Sequence, residues 1–184
     1  MVTLTFFFWF FVVMSAIIGA MRGWAQELLV AFSIILGLFI ITVLGLAPVV
    51  RDMVGIGFLD ANRNPIPIGP TTFWIRAALI IALTFFGYQT PRIQSKRIQA
   101  ATTRTGRLQD TLLGIIVGGI NGYLFIGTLW FFLIQADYFP AFVSPPEGAS
   151  AQQLISLLPP FLLSGNSIFF AVALAFAFVV IVLL

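Results

Sequence analysis

A run of residues without a charged side chain extends from Thr111 to Ala136, and it restricts the possible folds more than any other feature. A helix needs about 20 consecutive apolar residues to cross a bilayer, and this run exceeds that length. Within it, Gly114, Gly118 and Gly122 recur at every fourth position. On a helix this spacing draws a stripe with almost no side chains, along which a second helix can approach closely. The run therefore predicts a transmembrane helix that packs tightly against another helix.

Four other apolar segments are also long enough to cross a membrane. The five predicted spans are residues 2–21, 28–50, 73–90, 111–136 and 166–184, and the loops are residues 51–72, 91–110 and 137–165. The chain is 60% hydrophobic and only 8% charged, whereas soluble domains are about 25% charged. The sequence therefore predicts an all-α, polytopic helical membrane protein, with about five transmembrane helices in a single membrane domain.

The N-terminal span competes with a secretory signal peptide. A signal peptide would begin with basic residues and end at a small-residue cleavage site. Residues 1–5 carry no basic side chain. We therefore assign residues 2–21 to a retained transmembrane helix.

The loop at residues 137–165 contains a further helix signal. Ser150 and Gln153 have the spacing of a capping box, apolar residues follow, and Pro159 and Pro160 end the segment. This pattern predicts a short interfacial helix that lies at the membrane surface.

Basic residues predict the orientation in the membrane. With the N-terminus outside, six basic residues fall on the inner side and three on or near the outer side. The inner six are Arg22, Arg92, Lys96, Arg97, Arg104 and Arg107, and the outer three are Arg51, Arg63 and Arg76. Because loops rich in lysine and arginine stay in the cytoplasm, the loop at residues 91–110 is predicted to be cytoplasmic.

This loop carries five of the basic residues against a single acid, Asp110. The five are Arg92, Lys96, Arg97, Arg104 and Arg107. One interpretation is a solvated loop that sets topology. The alternative is a site for anionic lipid headgroups or for an acidic partner. Nucleic acid is not an expected partner, because no aromatic residues alternate with the charges.

Side chains suited to chemistry are scarce. The chain has no cysteine and no histidine, which removes thiolate chemistry and the commonest general base, metal ligand and haem ligand. Apart from Arg76, the polar side chains assigned to the spans are uncharged. Arg76 lies a few residues inside the third span, where it can snorkel to the surface or, alternatively, line a path. We therefore expect no enzymatic activity, no proton-coupled transport and no bound cofactor or metal.

Small residues also form a stripe on the first span, at Ser15, Gly19 and Gly23. Two stripes in one chain predict that the first and fourth spans pack closely, either against each other or against a second copy. Asn121 lies near the middle of the fourth span, beside the glycine stripe. We interpret it as part of an interhelical hydrogen bond, with a substrate-pathway role as the alternative.

Arg22 and Glu27 flank the short link between the first two spans. Arg22 lies at the end of one predicted helix and Glu27 at the start of the next, so each charge is at the terminus whose dipole favours it. The simplest interpretation is that the pair marks the membrane boundary.

Two segments together carry a resemblance. Residues 15–29 read SAIIGAMRGWAQELL, and residues 106–114 read GRLQDTLLG, with Gly118 and Gly122 following. In order and spacing they resemble the colicin V production protein family of bacterial inner-membrane proteins. The residues that match its motif positions are Arg22, Gly23, Glu27, Gly114 and Gly118. The resemblance covers roughly residues 1–135, and the fifth span and the Phe-rich first span depart from the simplest four-span pattern.

The resemblance implies a non-enzymatic protein of the bacterial inner membrane, involved in toxin production or secretion or in envelope homeostasis. It implies no catalytic residue. The alternative is a structural accessory subunit of a larger energy-converting membrane complex, photosynthetic or respiratory, which would fit the Phe-rich surface and the absence of chemistry. A small pore lined by the glycine stripe is a third possibility. Expected partners are membrane lipids, some of them anionic, and other membrane proteins or a second copy bound through the glycine stripes.

Overall fold

A computed structural model of the protein describes residues 4–89, 104–139, 143, 145–146 and 148–183. Within these ranges the chain is helical apart from turns and one isolated β-bridge between Leu59 and Pro65. The helices are α1 (Leu4–Arg22), α2 (Trp24–Leu46), α3 (Arg51–Val54), α4 (Pro70–Tyr88), α5 (Arg104–Gln135), α6 (Ala149–Ser156), α7 (Pro159–Leu162) and α8 (Ser167–Leu183).

Four helices, α1, α2, α4 and α5, are long and apolar enough to cross a membrane. The fifth apolar helix, α8, has 17 residues and a length of about 25 Å, slightly less than the hydrocarbon core of about 30 Å. The predicted fold class, an all-α polytopic membrane protein, is confirmed.

Two helices begin earlier than the charges suggested. The link predicted at residues 22–27 is the single residue Gly23, and α2 already begins at Trp24. Gly23 has a φ of 84°, which only glycine adopts at little cost, so one residue suffices to reverse the chain. Helix α5 likewise begins at Arg104, and residues 104–110 of the predicted loop are helical. Charged side chains marked these boundaries incorrectly, because a helix continues beyond the apolar core where its polar side chains are solvated or paired: Arg107 is exposed, whereas Glu27 is paired with Arg22.

The bundle is built around α2 and α5. Helix α1 packs along α5 in the opposite direction, and α2 contacts α4, α5 and α8. Large buried side chains collect near the end of α5, where its residues Trp130, Phe131 and Phe132 pack against Phe58 and Phe73. The outward faces remain apolar: Phe6 is 59% exposed and Phe86 is 69% exposed. Such faces suit a lipid environment.

The segment after α5 differs from the predicted interfacial helix. Helix α6 ends at Ser156, and Pro159 opens the separate helix α7, as proline commonly does at a first helical position. Leu158 is fully buried. A Cβ atom on Gly127 of α5 would lie 2.6 Å from Cδ of Pro159. The end of this segment therefore packs into the bundle instead of lying on its surface.

Candidate functional site

The two small-residue stripes meet each other along the interface between α1 and α5. A Cβ atom placed on Gly19 would lie 2.9 Å from Cα of Gly118, and one on Gly122 would lie 2.8 Å from Cβ of Ser15. A Cβ atom on Gly114 would meet the carbonyl group of Gly19. Real Cβ atoms are not found so close to a backbone, so these positions accept only glycine. Both stripes are thus used within one chain.

The same interface ends at a polar cluster formed by Arg22, Glu27 and Asn121. Arg22 Nη1 donates a hydrogen bond to Glu27 Oε1 at 2.8 Å. Asn121 Nδ2 donates to Glu27 Oε2 and to the Glu27 carbonyl oxygen, each at 2.8 Å. Glu27 is completely buried and Asn121 is 1% exposed. The predicted interhelical hydrogen bond of Asn121 is therefore present, and it joins α5 to α2.

Two further residues close this cluster. Arg22 Nη2 donates to the carbonyl oxygen of Tyr88 at 3.1 Å, and its guanidinium carbon lies 4.5 Å from the centre of the Tyr88 ring. Asp110 belongs to α5, and its side chain reaches the start of α2. Its Oδ1 accepts a hydrogen bond of 3.4 Å from the Trp24 backbone N–H. A carboxylate at this helix terminus is favoured by the helix dipole. The cluster thus connects α1, α2, α4 and α5.

The interpretation of Arg22 and Glu27 as mere boundary markers was wrong. Glu27 lies inside α2 and is inaccessible to solvent, whereas the Arg22 side chain remains 19% exposed. Removing one partner of a buried ion pair costs about 3–5 kcal/mol, because the remaining charge has no compensation. The assignment of Glu27 to a position outside the spans was also wrong, because its carboxylate is buried within α2. Ionisable residues within a membrane helix are rare and mark candidate functional sites.

A second polar cluster holds the other end of the bundle. Arg76 Nε donates to the Val54 carbonyl at 2.6 Å, Nη1 to Gln135 Oε1 at 2.6 Å, and Nη2 to the Gly57 carbonyl at 3.0 Å. Arg76 is fully buried. The prediction that Arg76 snorkels to the surface was wrong, because the loop after α3 folds back over the side chain and supplies backbone acceptors. Arg76 thereby fixes this loop to α4 and α5.

Gln135 completes the attachment of the loop. Its Nε2 donates to the carbonyl oxygens of Phe58 and Ile66 at 2.9 and 2.8 Å. Its backbone oxygen accepts from Ile68 N–H at 2.9 Å. Gln135 therefore provides partners for three backbone groups of the loop, namely the carbonyl oxygens of Phe58 and Ile66 and the N–H of Ile68. This cluster therefore attaches the loop at residues 55–69 to α4 and α5.

The tip of the loop is organised by Asp60. Its Oδ1 accepts from the backbone N–H groups of Asn62 and Asn64, each at 2.8 Å. The hydrogen bond from the Asn64 backbone is the main reason that the pKa of the Asp60 carboxyl lies below its usual value. Arg63 next to it donates to the Phe161 carbonyl at 2.5 Å, which links this loop to α7. Asp60 therefore closes the turn, and Arg63 attaches it to α7.

A group of aromatic side chains lies at the C-terminal end of α5. Trp130 Nε1 donates to Tyr138 Oη at 3.2 Å. Burial raises the pKa of the Tyr138 hydroxyl above its usual value. Phe139 packs against Phe73 and Trp74, with ring centres 5.3 and 6.2 Å apart. Amphipathic aromatic residues of this kind are enriched where a membrane meets water.

Of the five basic residues predicted to bind anionic headgroups, only Arg107 has a described side chain. Arg92, Lys96 and Arg97 lie outside the described residues, and for Arg104 only the backbone is described, at the start of α5. Arg107 is exposed on the first turns of α5, at the same end of the bundle as Asp110. Within the described ranges, no group of three histidine, cysteine, aspartate or glutamate side chains could hold a metal ion.

No protein-family model, characterised protein or solved structure matches this chain. The fold and the two clusters define its class as a multi-pass helical membrane protein. The buried cluster of Arg22, Glu27 and Asn121 is its candidate functional site.

Proposed function

We propose that the protein is a non-enzymatic component of a bacterial inner membrane, of the colicin V production type, that acts in peptide toxin production or secretion or in envelope homeostasis. The supporting observation is spatial. The two segments that carry the resemblance lie far apart in the sequence, yet Glu27 meets Asn121, and Gly19 meets Gly114 and Gly118. Residues that assemble into one buried site are suited to a shared role.

The site also agrees with a role that depends on packing and charge rather than on covalent chemistry. Glu27 is held by Arg22 on one side and by Asn121 on the other. This arrangement fixes three helices at a buried carboxylate. A change at Glu27 would therefore alter the helix arrangement around the site as well as its charge.

Genetic complementation tests this proposal. Deletion of the gene should increase the sensitivity of the cells to detergents or lower the export of a peptide toxin, and the wild-type gene should restore both. Glu27→Gln should fail to restore them at equal membrane abundance, because it removes the charge that Arg22 pairs with. Asp52→Asn, at an exposed acid on α3, is the matched control and should restore them fully. A deletion strain with unchanged sensitivity and unchanged export would overturn the proposal.

The proposed orientation has the N-terminus outside and residues 91–110 in the cytoplasm. It is supported by the grouping of Arg22 and Arg107 at one end of the bundle, whereas Arg63 lies at the other end with Phe161. A reporter fused after Gln99 should report the cytoplasm, and one fused after Gly148 should report the opposite side. The reverse result would overturn the orientation.

An accessory subunit of a larger membrane complex is the second candidate. The observation that favours it is the aromatic outer face of α1, where Phe6, Trp9 and Phe10 are 59%, 54% and 48% exposed. Aromatic side chains are enriched at protein interfaces. Gentle detergent extraction separates the two candidates: co-migration with fixed partners supports the subunit role, and a small particle of this chain alone supports the first proposal.

A further inference from the structure

A groove of about 290 Å³ runs between α1 and α4. Helix α1 contributes Phe11, Ser15 and Ile18 to its walls, and α4 contributes Ile81, Phe85 and Tyr88. Residues of α2 and α5 form the floor. The volume lies at the lower end of small-molecule sites, which span about 300–1,000 Å³. A single alkyl chain suits this space better than a lipid with two chains.

Three of the four polar residues that line the groove lie toward one end of it, where the apolar Ile18 lies as well. On α4, Tyr88 lies nearer the Arg22 end of the bundle than Ile81 does. On α1, Ser15 lies nearer that end than Phe11, and on α5, Asn121 lies nearer than Phe125. An amphiphile with its polar head toward the Arg22 end and its chain toward the centre of the bundle matches this order.

Asn121 lines the groove and carries an unsatisfied acceptor. Its Oδ1 is buried and has no hydrogen-bond partner among the described residues. The amide cannot simply be turned around, because Nδ2 already donates to the Glu27 carbonyl oxygen and to Glu27 Oε2. An exchanged amide would place two oxygens against each other there. Buried polar atoms without partners are uncommon and call for a ligand or water that supplies the missing hydrogen bond.

Two hydroxyl groups line the same groove. Ser15 and Tyr88 are both partly exposed, and neither hydroxyl is hydrogen-bonded to another described residue. Each can donate to, or accept from, a small polar group. No charged side chain lines the groove, and the nearby Arg22 is already paired with Glu27. An anionic head would therefore lose its hydration there without gaining an ion pair.

We propose that this groove binds a neutral membrane amphiphile that has a hydroxyl head and a single alkyl chain. The hydroxyl approaches Asn121, where it supplies the donor that Oδ1 lacks, and hydrogen-bonds to Ser15 or Tyr88. The chain lies along Phe11, Ile81 and Phe85. This inference concerns ligand binding by the isolated protein and stands apart from the proposed cellular role.

Photolabelling of the purified protein in phosphatidylcholine nanodiscs tests the site. The probe is a long-chain primary alcohol with a photoreactive group on its chain. The competitors are the unlabelled alcohol, its methyl ether, which can accept but not donate a hydrogen bond, and the fatty acid of equal length. We expect labelling within the groove, and competition by the alcohol about 2- to 10-fold stronger than by the ether. The ionised acid should compete less well than the alcohol.

Four variants locate the binding contacts. Ser15→Ala and Tyr88→Phe each remove a hydroxyl without changing the packing shape, and each should weaken labelling by about 2- to 10-fold. Ile81→Trp fills the groove and should abolish labelling. Phe86→Trp, at an exposed residue of the same helix outside the groove, is its matched control and should leave labelling unchanged.

Three results would overturn the proposal. Equal competition by the alcohol and the ether would show that no donor is recognised. Stronger competition by the fatty acid would show that the site selects an anion. Labelling spread over the apolar surface, with no loss in Ile81→Trp, would show that bulk lipid alone covers the groove.

Discussion

Gly118 offers the sharpest test of the interface between α1 and α5. A Cβ atom there would lie 2.9 Å from Cα of Gly19 and would also meet the carbonyl oxygen of Ser15. Ordinary carbon–carbon contacts begin at about 3.5 Å, so Gly118→Ala forces the two helices apart by roughly 0.6 Å. Gly119 lies on the same helix, but its Cβ would be 3.7 Å from Cβ of Ala16, an ordinary contact. Gly119→Ala is therefore the matched control.

The expected size of the effect follows from two opposing contributions. Replacing glycine by alanine inside a helix is worth about 1 kcal/mol in helix propensity at either position. Overpacking a tight interface costs about 1–3 kcal/mol, and it applies at Gly118 alone. Because the propensity gain is common to both variants, Gly118→Ala should have a free energy of unfolding about 1–3 kcal/mol below that of Gly119→Ala.

Unfolding in mixed micelles measures this difference. Helix content is followed by circular dichroism as a denaturing detergent replaces a mild one, for the wild type and for both variants. We expect Gly119→Ala to equal or exceed the wild type in stability and Gly118→Ala to fall below Gly119→Ala. Equal stability of the two variants would refute the close approach at Gly118, and so would a more stable Gly118→Ala.

Three further predictions concern the other end of the bundle, the aromatic group and the basic segment. Arg76→Met should destabilise the protein by about 3 kcal/mol or more, because it leaves buried acceptors without a donor. It should also expose residues 55–69 to protease. Arg51→Met, at an exposed position, is the control and should have neither effect. The pKa of Tyr138 is raised in the folded protein, so its effect on stability depends on pH. Stability should be unchanged below the ordinary tyrosine pKa of about 10 and should fall as the pH rises from there through the folded-state pKa, because the unfolded state loses its proton first. Thermal unfolding between pH 8 and 11 should show a shallower fall in Tyr138→Phe than in the wild type. Replacing the five basic residues of the 91–110 segment by Gln should weaken retention of anionic lipid by about 1 kcal/mol per charge near the surface, and unchanged retention in lipid analysis of the purified protein would limit the segment to setting topology.

The parts of the structure that could be predicted from the sequence depend on local periodicity. Apolar length identified the long helices, and the four-residue spacing at Gly114, Gly118 and Gly122 identified the face of α5 that another helix approaches. The stripe at Ser15, Gly19 and Gly23 named the partner helix. The spacing does not determine whether the partner helix belongs to the same chain, because it describes one helix at a time.

The fate of the buried charges could not be predicted in the same way. The apolar run begins after Glu27, so the sequence predicts that Glu27 lies in a link. The sharp turn at Gly23 allows α2 to begin at Trp24, and Glu27 therefore lies inside α2. Arg76 lies near a helix start, where snorkelling costs little. Its burial depends on how residues 55–69 fold back, and this depends on contacts distant in sequence. Gln135 gave no signal beyond being a polar residue near the end of an apolar run.

Some packing residues were also missed for a definable reason. Gly127 receives Pro159, and Gly87 faces Val30, where an added Cβ would lie 3.1 Å from Cα. Neither glycine belongs to a repeated four-residue spacing, so the spacing does not indicate these two contacts. An isolated glycine inside a predicted membrane helix is the signal that could have indicated these close approaches.

The packing of α1 on α5 within one chain is the basis of the whole site, and a cysteine pair tests it most directly. The chain contains no cysteine, so Ala16→Cys combined with Gly119→Cys introduces the sole pair. The two Cβ positions are 3.7 Å apart, close to the average of about 3.8 Å in disulfides. Mild oxidation in native membranes should give a disulfide within the monomer, visible as a change in electrophoretic mobility that a reductant reverses. Ile17→Cys combined with Gly119→Cys is the control and should give no disulfide, because Ile17 faces outward. Dimers linked between chains, or no disulfide in the Ala16 and Gly119 pair, would contradict the account.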